Sequence, residues 1–137
     1  MAIQHITLPI PEHLYLRFEQ AAQATQQSVT DMLLHAVEVG SPPRWDDVPA
    51  EFQLDLAALD RLDDGALWQI ARSQYSDAEM DRYEALLQQN ANDALLDAER
   101  EELVQLRYQA DRFMLRKAHA AALLRWRGYQ LPPPDKL

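Results

Sequence analysis

The chain reads as mainly α, with one N-terminal strand that pairs across two copies and a C-terminal helical domain built on one long helix. Three observations predict this. Residues 2–13, AIQHITLPIPEH, alternate Ile6, Leu8 and Ile10 with His5, Thr7 and Pro9, the period of a half-buried strand. Nothing in residues 41–137 alternates in that way. Residues 97–127 hold neither Gly nor Pro and repeat apolar residues at 3–4 spacing.

A strand must satisfy its backbone donors and acceptors. With no second strand in the chain, the economical partner is a second copy, because a symmetric dimer needs only one surface. The expected product is an intermolecular two-stranded antiparallel ribbon. Ile6, Leu8 and Ile10 would enter a shared core, joined by Leu14, Phe18, Met32 and Leu33 from the helices that follow.

Those helices have clear local signals. Residues 12–25 place Leu14, Phe18, Ala21 and Ala22 on one face, behind Pro11 at a helix start. Ser28 is a good N-cap, with Asp31 favourable to the helix dipole. Val29, Met32, Leu33, Ala36 and Val37 form the apolar face of the second helix. Gly40 and Pro42-Pro43 end it.

Residues 1–40 are thus expected to be one module. Residues 41–53, SPPRWDDVPAEFQ, read as a Pro-rich linker, yet Trp45, Val48 and Phe52 are too apolar for a free tether. A helical domain is expected over 54–130. Leu54, Leu56, Leu59 and Leu62 suggest a short helix. Asp63 or Asp64 caps the next, and Ser76 with Glu79 forms a capping box for another. Asn90 through Asp93 break that one. The long helix follows, about 45 Å for some 30 residues, apolar on more than one face and ended by Gly128. Residues 131–137, starting LPPP, form an extended tail.

Strand, then LPIPEHLYLRFEQAAQATQQS, then VTDMLLHAVEVG resembles the ribbon-helix-helix module of bacterial DNA-binding regulators and antitoxins, over about residues 3–40. The resemblance implies a homodimer whose paired strands enter the DNA major groove. By position, His5 and Thr7 would face base edges. Ser28 and Val29, at the start of the second helix, would offer amides to a phosphate. It also implies operator DNA as a ligand and a cognate toxin or other protein as a partner. A second reading keeps the ribbon for dimerisation alone and makes the chain a protein–protein adaptor. The strand carries no Lys or Arg on its outward face, and residues 1–45 are net −2.

Charge is segregated further along. The whole chain is net −9; residues 46–102 are net −12 and residues 103–137 are net +5. The acidic middle would repel nucleic acid. The basic end either pairs with it or binds a polyanion or an acidic groove. In RFMLRKAHAAALLRWRGY, residues 112–129, Arg112, Arg116, Arg125, Trp126 and Arg127 are the candidate partner-binding set. The competing reading is a core helix whose cations snorkel from an apolar body. AHAAALL itself suggests close helix packing.

There is little sign of catalysis. Cysteine is missing, the three glycines lie far apart, and the four histidines show no metal-ligand spacing. Ser28 and Ser76 read as caps. No catalytic residue, metal or cofactor is expected. No apolar stretch approaches the roughly 20 residues that span a bilayer, and no leader-like segment opens the chain, so the expectation is a cytoplasmic protein.

Overall fold

The computed structural model describes residues 2–137 and contains six α-helices. They are α1 (Glu12–Thr25), α2 (Val29–Val39), α3 (Ala50–Leu59), α4 (Asp64–Arg72), α5 (Asp77–Ala91) and α6 (Asp97–Trp126), followed by a short 3-10 turn at Pro134–Lys136. The chain divides into two compact units, Met1–Ser41 and Pro42–Leu137.

The expected ribbon is corrected here. No strand exists among the described residues, and none of residues 2–10 enters a backbone hydrogen bond. The alternation is real but has no ladder beside it. Ile6 is 78% exposed and Leu8 60%, so the apolar side of this segment faces solvent. Period-2 patterning marks a face suited to a sheet. It does not supply the neighbouring strand that makes one.

In the first unit, Pro11 precedes α1 and its carbonyl accepts from the Leu14 and Tyr15 amides at 3.0 Å each. Gln26 closes α1 in the left-handed region at φ 56°, where glycine is the unstrained choice. The Ser28 hydroxyl then caps α2 by accepting from the Asp31 amide at 3.0 Å. Gly40 sits at φ −87° and so provides no left-handed cap. Only Ala22 is buried among the unit's described residues.

The second unit is organised by α6. Its C-terminal stop is a Schellman motif. The Tyr129 amide donates to the Leu124 carbonyl at 3.0 Å, the Gly128 amide to Arg125, and Gly128 takes φ 105°. At the other end the Glu99 carboxylate reaches back to the Leu96 amide at 3.2 Å. Between these ends the helix is uninterrupted.

Two faces of α6 are used. On one, α4 and α5 run antiparallel to it, end to end. Arg127 meets Asp64, Lys117 meets the Ser73 carbonyl, Phe113 meets Tyr75 and Arg107 meets Tyr83. On the other, α3 runs parallel. Phe52 stacks on Tyr108, Asp55 meets Arg112 and Asp60 meets His119. The long helix, apolar on more than one face, thus packs against three helices.

The main cluster joins Leu56, Leu59, Leu67, Ala71, Ala120, Leu123 and Leu124. Trp45 and Val48 pack against it, so the Pro-rich stretch is no tether. Ala71 of α4 and Ala120 of α6 are both fully buried in this cluster, so AHAAALL lies in the contact between the two helices. A smaller cluster, Leu86, Leu95 and Leu103, holds α5 to the N-terminal half of α6.

Candidate functional site

In the first unit the residues expected to meet DNA remain separate in role. His5 and Thr7 are exposed on the segment before α1. The Ser28 hydroxyl is engaged as the N-cap, and Val29 is half-buried. What the hairpin does bring together is apolar. Leu14, Phe18 and Met32, with Ala21 and Arg17, line one groove of about 270 Å³. Leu33 and Ile10 are half-buried. Outside the groove Tyr15, Leu16, Leu34, Val37 and Val39 stay exposed. Leu34 and Val37, three apart on α2, make one stripe.

In the second unit the basic end is largely engaged with the acidic middle of the same chain. The Arg112 guanidinium donates to Asp55 at 2.6 Å. Arg127 donates to Asp64 at 2.7 Å, and its other nitrogen reaches the Asp60 carbonyl at 3.4 Å. The Tyr129 hydroxyl donates to the second Asp64 oxygen. This hydroxyl and the Arg127 guanidinium hold the Asp64 carboxyl below its ordinary value. Arg112 does the same for Asp55. Asp64 thus joins α4 to the end of α6 through two side chains, Arg127 and Tyr129. Arg116 is half-buried beside Ile70 and Phe113, whereas Arg125 and Trp126 are exposed. The candidate partner-binding set is thus divided between two structural cations and a smaller outward group.

His119 is buried, with Nε2 2.8 Å from Asp60 Oδ1. This bond crosses from α6 to the end of α3. Among the described residues no group of His, Asp and Glu is arranged to hold a metal. No helix is long and apolar enough to cross a membrane.

Sequence reasoning gave Asp60 no role and read Asp64 only as a possible helix cap, so it identified neither as a partner of the basic helix. The available signal was charge segregation, which names the two sides of such pairs but not their members. Comparison with protein-family models, curated proteins and solved structures found no match.

Proposed function

We propose that the chain is a non-catalytic adaptor that self-associates through its first unit and presents its second unit to a partner protein. One observation carries this reading: α1 and α2 bury only Ala22 while Leu14, Tyr15, Leu16, Leu34 and Val37 stay in water. A unit of this size rarely holds itself together on one small buried residue. A second copy offers the same apolar stripe, and a two-fold interface uses one surface twice. An interface of ordinary size removes about 800 Å² from each partner, an area a two-helix face can supply.

Sedimentation equilibrium at micromolar concentration tests it. The expected mass is that of a dimer, and Leu34→Glu with Val37→Glu should give a monomer whose second unit still melts cooperatively. A wild-type monomer overturns the reading.

A regulator of antitoxin type is the second reading. The pairing of one association unit with a separate helical unit favours it, since DNA binding alone requires no second unit of that size. Titration of the chain against its own upstream DNA at several salt concentrations, beside a His5→Ala, Thr7→Ala variant, decides it. Saturable, sequence-selective binding lost in the variant supports the regulator. No binding at low salt leaves the adaptor.

A further inference from the structure

The face of α6 that receives α3 is longer than α3. The contacts run from Tyr108 through Arg112 and His119. Stepping back by three and four residues from Tyr108 brings Val104, Gln105 and Glu101 onto that same face. All three are exposed, Val104 by 65%. An open groove lies over them, lined by Ala98, Arg100, Glu101, Glu102, Val104 and Gln105. The opposite face of α6 is covered there by α5, through Leu86 and Leu103.

The chain does not extend α3 across this stretch. Pro49 sits at the N-cap of α3, and the residues before it double back toward the other end of α6. There Pro43 and Val48 share a groove with Leu115, Ala118 and Ala122. About two turns of α6 are left with an apolar residue and no helix beside it.

The surroundings state the charge of what would fit. On α6 itself, residues 97–107 hold four acidic and two basic residues, net −2. Arg82 is bound between Glu102 at 2.8 Å and Glu99 at 3.8 Å, and Arg107 bonds the Tyr83 hydroxyl. Glu101 and Asp97 are exposed and enter no ion pair among the described residues. Arg100 alone opposes a cation, at one edge of the groove.

We propose that this uncovered face of α6, Ala98–Gln105, docks a basic amphipathic helix of a partner protein. The helix continues the line of α3. Its apolar side lies on Ala98 and Val104, and its cations face Glu101, on the side of Val104 away from Arg100. This deepens the adaptor reading by naming the partner's chemistry. Its test involves only the second unit, so it fails or stands independently of self-association.

The probe is a labelled amphipathic Leu/Lys peptide of about fourteen residues, with a Leu/Glu peptide of the same pattern as control. Fluorescence anisotropy on the full chain reads binding. The Leu/Lys peptide should bind in the micromolar range and the Leu/Glu peptide should not. Val104→Arg should weaken binding more than tenfold, and Glu101→Lys about three- to tenfold. Asp47→Lys, the same charge change on the exposed Pro-rich stretch, should leave it unchanged. Melting curves of the variants should match the wild type, because each site is exposed. Equal weakening by Asp47→Lys and Glu101→Lys would reveal diffuse charge attraction and overturn the proposal. So would binding indifferent to Val104→Arg, absence of binding, or a fall in the free chain's mass on Val104→Arg, which would assign the face to a second copy.

Discussion

The two ends of α6 are built from the same kind of sequence and held very differently. Toward Trp126 the helix is clasped on both faces, by α3 and α4, around seven buried residues. Toward Asp97 it is held on one face, by α5, around three. The C-terminal end also carries the cross-helix pairs at Asp55, Asp60 and Asp64. The other end has Arg82 with its two glutamates. Helical propensity is similar along the run, so the difference lies in covered faces and not in the helix itself. A single α-helix can thus have a firm end and a loose one with no break between them.

Core truncation should expose this contrast most strongly. Leu124 is 0% exposed and Leu103 7%. Leu124→Ala is expected to cost about 3–4 kcal/mol and Leu103→Ala about 2 kcal/mol, read from urea denaturation. Equal costs would mean that the smaller cluster is as well packed as the larger. Removing the stop should rank next. Gly128 stands at φ 105°, so Gly128→Ala is expected to cost about 1–2 kcal/mol although nothing crowds its Cβ position.

Amide exchange sharpens the comparison without mutation. Amides of residues 99–106 should exchange faster than those of 117–124, by a margin that closes when a helix is docked on Val104. Identical protection at both ends would remove the distinction.

Acid should have a smaller effect. The carboxyls of Asp55, Asp64 and Glu102 all lie below their ordinary values, because Arg112, Tyr129 with Arg127, and Arg82 bond to them. A lowered folded-state value means that the stabilisation is complete above the unfolded-state value. It is lost as pH falls through the folded one. Thermal stability should therefore hold from neutrality down to about pH 4 and decline below it. Asp64→Asn should flatten that decline. An unchanged acid slope in the variant would show that the Arg127–Asp64–Tyr129 contact contributes nothing measurable.

Local features of this architecture were legible in the residues. The Ser28, Asp63 and Ser76 caps, the break at Asn90–Asp93 and the stop at Gly128 each depend on a few adjacent side chains. So did the extent of α6. The strand was misread because its pattern describes one side of a sheet whose other members must come from elsewhere. The candidate basic set was hard to read for a related reason. Arg112 and Arg127 find partners 57 and 63 residues away. Periodicity tells which residues share a helix face. It does not tell which helix lies opposite. The open length on α6 was hidden too, because it depends on where α3 starts, at Ala50 after Pro49.

The unbroken run of α6 also makes it a lever. Its fulcrum is the cluster around Ala120 and Leu124, and its arm reaches back to Ala98, a distance of about 33 Å at 1.5 Å per residue, with α5 alone holding the last turns. A rocking of about five degrees at the fulcrum would carry the far tip through about 3 Å, by the length of that arm. Whatever grips that tip thus gains leverage over the joint between α3 and α4.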